Sequence, residues 1–315
     1  MTRVAFYGNH AVSYSSETHH CASLEELGVE VVRLQEPKTP WRVILSEAIK
    51  SDMFVWIKTH GWETPRIDRV LAELKRKGIP VVSYHLDAYR QIPDRWKRYQ
   101  NDPYMRSLDY FFTVDQLLAD WLNENTTTRG HYLPPGVFGQ ECYISDRSSP
   151  LANDVVFCGS YGYHSIYPMR PQLVDWLKAT YQDRFTHVGG GSKHPVVRGD
   201  DLNRLYASSK VVVGDSFICD PNYQGKYWSD RVPESLGRGA FLAHPWVYGL
   251  DEQFTPGEHL ATYRWGDFTD LKRVIDHYLV NDGERERIRR AGHDHAKATA
   301  TYKVRWQHIL DVVGA

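Results

Sequence analysis

The feature that most limits what this chain can fold into is a set of short strand-like runs that are apolar almost without a break, such as Phe54-Val55-Trp56-Ile57. A strand with one wet face alternates apolar and polar residues. A continuous run is buried on both faces, the condition of a strand in a parallel sheet covered by helices. Comparable runs occur at Val4 to Tyr7, Val29 to Leu34, Met53 to Lys58, Pro80 to Tyr84 and Tyr110 to Val114, with helical patterns at Ser23 to Leu27, Trp41 to Lys50, Pro65 to Lys77 and Asp115 to Asn123. Strands spaced by helices predict an α/β, Rossmann-like domain.

The pattern stops at Tyr132-Leu133-Pro134-Pro135-Gly136-Val137 and a polar stretch ending at Ser148-Ser149-Pro150. Paired prolines remove amide donors and punctuate regular structure. It restarts with strands at Asp154 to Cys158, Arg184 to Val188, Lys210 to Gly214, Ala240 to Ala243 and Leu260 to Tyr263. Helical patterns fall at Arg170 to Tyr181, Asp201 to Ser208, Arg231 to Gly237, Asp267 to Asn281, Gly283 to Thr299 and Thr301 to Val313. Two Rossmann-like domains are therefore expected, residues 1–136 and 150–300. The last helix carries Tyr302, Trp306, Ile309 and Leu310 at helical spacing, an apolar set that needs a cover. Residues 301–315 are expected to cross back onto the first domain. Ligands of open α/β sheets bind beyond the carboxyl ends of the strands, so two facing domains would share a cleft there.

Composition excludes several classes. Lys plus Arg number 38 against 39 acidic residues in 315, leaving a formal charge of -1 and no global field for nucleic acid or an anionic membrane. No apolar run reaches membrane-span length and the first strand begins at once, so integral membrane association is not expected and the cytosol is the expected address. Cys21, Cys142, Cys158 and Cys219 lie far apart and read as reduced thiols.

The segment most informative about chemistry runs from Gly225 to Leu242. Ser229 or Asp230 suits a helix N-cap, Pro233 a first turn, and Gly237 with Gly239 a helix end before a strand. A helix start offers unpaired amides to a phosphate; Arg231 adds a cation, and Glu234 can accept two hydroxyl hydrogen bonds from a ribose. The other reading of Arg231 and Glu234 is an ion pair one helical turn apart on a wet face.

The pattern Arg231-x-x-Glu234-x-x-x-Arg238-Gly239-Ala240, Phe254-x-x-Gly257-Glu258, Asp267, and Arg285-x-x-Ile288-x-x-Ala291-Gly292-x-x-x-Ala296 before Thr301-Tyr302 resembles the C-terminal donor domain of group 1 GT-B glycosyltransferases, especially the CgeB-like spore-protein group. In the first half, Tyr84-His85-Leu86-Asp87 is similar to a strand end of that group's acceptor domain. The resemblance implies transfer of a sugar from a nucleotide-diphosphate donor, UDP- or GDP-linked, to an acceptor hydroxyl. It further implies no divalent metal or other cofactor, retention of configuration, Glu234 on the ribose and Arg231 facing the diphosphate. Many retaining members carry a Glu eight positions before the ribose Glu; here Lys226 stands there. Lys226 would then face the leaving diphosphate, with Asp215 or Asp220 replacing the missing carboxylate.

Further donor candidates are Gly159, Ser160 and Tyr161 after the first strand of the second half, where glycine lets the backbone approach phosphate, and His187, Gly189 and Gly190 after the next strand. Arg170 is an additional cation. In the first half Asn9 and His10, Lys58 and His60, and Tyr84, His85 and Asp87 all follow strands and are expected around the acceptor, with His85, Asp87 or His10 as a base. No helical pair of metal ligands is present, so no metal site is expected. From 89 to 106, Arg90, Arg95, Lys97, Arg98 and Arg106 interleave with Trp96, Tyr99 and Tyr104. That pattern suits a polyanionic acceptor such as modified DNA or a phosphoglycan, or an amphipathic helix with its aromatics turned inward. A nucleotide-sugar epimerase and a non-catalytic nucleotide-sugar-binding protein are the alternatives, and the chain is expected to be a monomer or homodimer.

Overall fold

The computed structural model describes residues 1–58, 62–88, 90, 92, 96–97, 99–162, 169–219 and 222–315. Of the sequence candidates, His60, Arg95, Arg98 and Asp220 lie outside these residues. The chain forms two compact units, Met1–Pro134 with Tyr302–Ala315, and Pro135–Thr301.

The first unit holds β1 (Arg3–Gly8), α1 (Ser16–Glu25), β2 (Glu30–Gln35), α2 (Trp41–Ala48), β3 (Met53–Trp56), α3 (Ile67–Lys77), β4 (Val81–His85), α4 (Pro103–Ser107), β5 (Tyr110–Thr113), α5 (Gln116–Asn125), β6 (Arg129–Tyr132) and the last helix of the chain. Its six strands run parallel in the order β2-β1-β3-β4-β5-β6. The apolar strands β1, β3 and β4 are buried almost throughout, as their uninterrupted sequence predicts. Strand β6 was not legible because Arg129-Gly130-His131-Tyr132 lacks an apolar run. It is an edge strand on which α5 lies so close that a β-carbon on Gly130 would stand 2.3 Å from the Ala119 carbonyl oxygen. The Asn123 side chain bonds both the amide and the carbonyl of Gly130, each at 2.9 Å, covering part of that edge.

Helix α1 begins earlier than the expected start at Ser23. Ser15 caps it by accepting from the Thr18 amide, and its buried face includes the polar Glu17, His20 and Ser23, which hid the helical period. The cover of that face is the final helix, whose buried Trp306 donates its indole N–H to His20 Nδ1 at 3.1 Å. Burial pushes the His20 pKa down to about 3, so the imidazole stays neutral and can accept.

The second unit holds β7 (Val155–Cys158), α6 (Met169–Tyr181), β8 (Phe185–Val188), α7 (Gly199–Ser208), β9 (Val211–Val213), α8 (Arg231–Gly237), β10 (Leu242–Pro245), β11 (Ala261–Tyr263), α9 (Phe268–Val280) and α10 (Asp282–Thr299); α11 (Tyr302–Val313) returns to the first unit. Its five parallel strands run β11-β10-β9-β7-β8. Counted from its own first strand, each sheet has the order 2-1-3-4-5, extended by β6 in the first unit. The chain therefore changes winding direction between β1 and β3, and again between β7 and β9. Such switch points are where doubly wound sheets bind ligands, beyond the carboxyl ends of the two strands. Apolar faces of α6 and α9, including Leu173, Leu177, Leu271 and Ile275, close the core over β7 and β9.

Most of the C-terminal signature is architectural. Ile288 and Ala296 are fully buried, and a β-carbon on Gly292 would fall 2.2 Å from the His259 carbonyl oxygen. Buried Arg289 donates to the carbonyls of Ala207 at 2.8 Å and Ser209 at 2.6 Å, satisfying acceptors at the end of α7. Arg238 bonds Asn203 at 2.7 Å and pairs with Glu141. No helix among the described residues is long and apolar enough to cross a membrane.

Candidate functional site

At the β7/β9 switch point, the loop after β9 supplies Asp215, the loop after β7 supplies Gly159, and α8 supplies Arg231. Arg231 Nη1 donates to Asp215 Oδ1 at 2.6 Å and to the Asp215 carbonyl at 3.2 Å. Its other terminal nitrogen rests against Gly159, where a β-carbon would come within 2.8 Å. The guanidinium also lies 5.6 Å from the Phe157 ring centroid. Burial lowers the Arg231 pKa, but the nearby Asp215 and Asp230 carboxylates outweigh it and leave it raised, so the side chain is a fixed cation. On the far side of Asp215, Arg170 donates from Nε to Oδ2 at 2.7 Å and from Nη2 to Oδ1 at 3.2 Å.

A second network fixes the entry to α8. His244, fully buried on β10, donates from Nδ1 to the Pro245 carbonyl at 2.7 Å, so its Nε2 accepts from the Ser216 hydroxyl at 3.0 Å. The Ser216 oxygen in turn accepts the Ser229 amide at 3.1 Å, and the Ser229 hydroxyl donates to the Asp215 carbonyl. Burial holds the His244 pKa down at about 4, which keeps this chain in one protonation state near neutral pH. Sequence reasoning missed Ser216 and His244; the available signal was their place at the ends of β9 and β10.

Arg231 and Glu234 do not form the ion pair one turn apart that their spacing allows. Among the described residues no side chain or backbone group hydrogen-bonds the Glu234 carboxylate. Burial and the nearby Asp230 push its pKa up to about 7, partly offset by Arg238. Asp230 occupies the N-cap position of the seven-residue α8 but makes no side-chain capping bond.

The remaining donor candidates divide. Gly189, Gly190 and Gly191 pack against the β7 loop: the Gly159 amide donates to Val188 at 2.9 Å and the Tyr161 amide to Gly190 at 2.7 Å. A β-carbon on Gly189 would meet the Gly159 carbonyl at 2.6 Å and one on Gly190 the Ser160 hydroxyl at 3.2 Å. His187 donates from Nε2 to the Gly159 carbonyl at 2.8 Å, and Tyr161 donates to Asp175 at 2.7 Å. These contacts shape the loop that backs Arg231. Lys226 lies over Gly249 and pairs with Glu252, while Asp215 has both oxygens on arginines.

In the first unit the structure corrects two expectations, those for His85 and Tyr84. His85 is 1% exposed, stacked on Phe111, with Nε2 bonded to the Tyr104 hydroxyl at 2.8 Å; burial holds its pKa near 3. It is a core residue and not a base facing an acceptor. Tyr84 is equally buried, its hydroxyl donating to Pro134 at 2.9 Å. The His10 ring donates from Nε2 to Phe6 at 3.1 Å and meets the Cys21 sulfur at 3.9 Å through Nδ1. Burial lowers its pKa. His85 turns inward because Tyr104 and Phe111, distant in the chain, satisfy and stack on its ring, which spacing does not reveal. Asn9 bonds Gln35 and the Ala11 amide, Lys58 pairs with Asp102 at 2.8 Å, and Asp87 is half-buried just past β4. Glu36, past the end of β2, escaped notice: the Trp56 indole donates to one oxygen at 3.2 Å, the other has no partner among the described residues, and burial pushes its pKa up to about 7.

Trp96, Tyr99 and Tyr104, the described aromatics of this stretch, pack against the protein's own core. Tyr99 and Tyr104 are buried, and Trp96 packs edge-on against Trp121 at 4.8 Å between centroids, so stacking platforms for bases are not present among these described rings. Arg90 donates to the Leu117 carbonyl.

Residues 170–311 match the Glycosyl transferase-like family. The whole chain superposes on an alpha-glucosyltransferase in complex with UDP, with a TM-score of 0.72 at 10% identity over 100% of both chains. The fold is GT-B. Anabaena Alr3699/HepE in complex with UDP and glucose gives a TM-score of 0.63 at 11% identity over 100% of both chains. Sucrose-phosphate synthase from Thermosynechococcus elongatus gives 0.60 at 11% over 99% of both. Among curated protein sequences, none matches this chain.

Proposed function

We propose that this protein transfers a sugar from a UDP-sugar to an acceptor hydroxyl, with the donor held by the second unit. The observation that carries the reading is the separation of Arg231 from Glu234: the arginine is drawn to Asp215, which leaves the Glu234 carboxylate without a hydrogen-bonding partner among the described residues, beside a fixed cation. An uncommitted carboxylate suits the two hydroxyls of a ribose, and a fixed cation at the switch point suits a diphosphate. The solved GT-B structures that carry UDP support uracil as the base.

In the reaction the bond from the sugar's anomeric carbon to the diphosphate breaks, a bond to the acceptor oxygen forms, and the acceptor proton passes to the departing diphosphate oxygen. Charge builds on the departing diphosphate. Arg231 is placed to stabilise it without reorganising, which supports transfer without a divalent ion. Retention of configuration follows the family resemblance. Acceptor contact is assigned to the first unit, at Asp87, Lys58 and Asn9. Lys226 reaches the diphosphate in this reading only by leaving Glu252, so Arg231 is the principal cation.

UDP release from UDP-glucose and other UDP-sugars, measured with wild type and Arg231→Ala, tests the proposal. Arg231→Ala is expected to lower turnover about a hundredfold, the scale of removing one group that stabilises developing charge. UDP-sugar bound but never turned over with a broad panel of hydroxyl acceptors would refute transfer in favour of a binding protein, and conversion to an epimer without acceptor would favour an epimerase.

A further inference from the structure

Asp215 is placed where a carboxylate ought to harm a diphosphate site, because paired with Arg231 alone it would offset the charge of the guanidinium that reaches this switch point. Arg170 alters that balance. The three side chains carry a formal charge of +1, and Asp215 Oδ1 is shared between the two guanidinium groups while Oδ2 belongs to Arg170. Exposure is graded in the same sense: the Arg170 and Asp215 side chains are 5% and 3% exposed, that of Arg231 18%. The buried pair thus acts as a neutral base under the one cation that reaches solvent.

We infer that Asp215 and Arg170 are positioning residues acting through Arg231: Asp215 fixes the direction of the Arg231 guanidinium, and Arg170 neutralises Asp215 so that Arg231 keeps its charge for a diphosphate. This rests on the donor reading above. The geometry supports each half. Arg231 is held by the carboxylate and carbonyl of Asp215 on one side and by the Gly159 backbone on the other, so the planar fork is set before a ligand arrives. Both Asp215 oxygens already accept from arginines and the side chain is 3% exposed, which favours a positioning role for this carboxylate over direct contact with the sugar.

The test compares affinity for UDP with affinity for uridine, since their ratio isolates the diphosphate. Arg170→Met is expected to lower UDP affinity about tenfold, within the range of a charge-assisted hydrogen bond, and to leave uridine affinity unchanged. Adding Asp215→Asn restores the formal charge to +1, so the double variant is expected to regain most of the loss. A purely structural role predicts no such recovery in the ratio. If Arg170→Met does not fold, Arg170→Lys, which keeps the charge, is expected to hold the ratio within about threefold of wild type. An unchanged ratio in Arg170→Met, a double variant no better than the single, or a tenfold loss in Arg170→Lys overturns the inference. Glu234→Ala in the same series separates the two claims. Reduced uridine affinity there leaves the donor reading standing while the positioning role falls, and a wild type that binds neither ligand ends both.

Discussion

Glu234→Gln tests the desolvated carboxylate directly, because the substitution keeps shape and removes only the titration. In the folded chain the Glu234 carboxyl is pushed from its ordinary 4.5 to about 7, first by burial and then by Asp230. The native state therefore holds this proton between about pH 4.5 and 7 where the unfolded chain has released it. Stability falls as pH rises through that interval, and the cost is fully present above about pH 7. A displacement of this size corresponds to at most about 3.4 kcal/mol, which partial exposure of the carboxylate reduces to about 2. Glu234→Gln is expected to be more stable than wild type by about that amount at pH 8, and by much less at pH 5. Urea denaturation followed by tryptophan fluorescence at the two pH values reads the difference. The same variant is expected to bind UDP-glucose about tenfold more weakly at pH 8, since a ribose prefers an ionised acceptor. UDP-glucose affinity of wild type is expected to drop as pH falls through about 7, and the variant to lose that dependence. Equal stability gains at pH 5 and pH 8, or a variant no more stable at either, would refute the argument that the carboxylate is held in a poorly solvated place.

Two further outcomes follow from the packing. Tyr104→Phe removes a buried hydroxyl bonded to Ser83 at 2.6 Å, His85 at 2.8 Å and the Trp56 carbonyl at 3.0 Å. It should cost about 2 to 4 kcal/mol in thermal or chemical denaturation while leaving turnover at saturating UDP-sugar unchanged, and a loss of turnover without loss of stability would return His85 to the functional site. Gly292→Ala places a methyl where the His259 carbonyl already stands, so α10 must shift. A fall in melting temperature of several degrees is expected by differential scanning fluorimetry, and an unchanged melting temperature would contradict the close approach.

What the sequence determined by itself is the class and direction of the architecture. Runs such as Val4 to Tyr7 and Phe54 to Ile57, alternating with helical patterns, point to strands buried on both faces of parallel sheets, and the prolines at 134 and 135 mark where one sheet ends and the next begins. Local pattern suffices there because strand burial depends on each residue's own polarity. It failed for α1 and β6, whose identity depends on partners distant in the chain: Trp306 over His20, and α5 over Gly130. The Arg231 and Glu234 pair was legible as a candidate, but its state was not. One turn of helix allows the two to neutralise each other; a carboxylate sixteen positions earlier, at the end of a neighbouring strand, prevents it. The same holds for His85 and Tyr84, legible as residues after a strand yet turned into the core by Tyr104 and Pro134. Only the tertiary structure could decide these cases, because hydrogen bonds and ion pairs between side chains depend on distances that the order of residues along a chain does not contain.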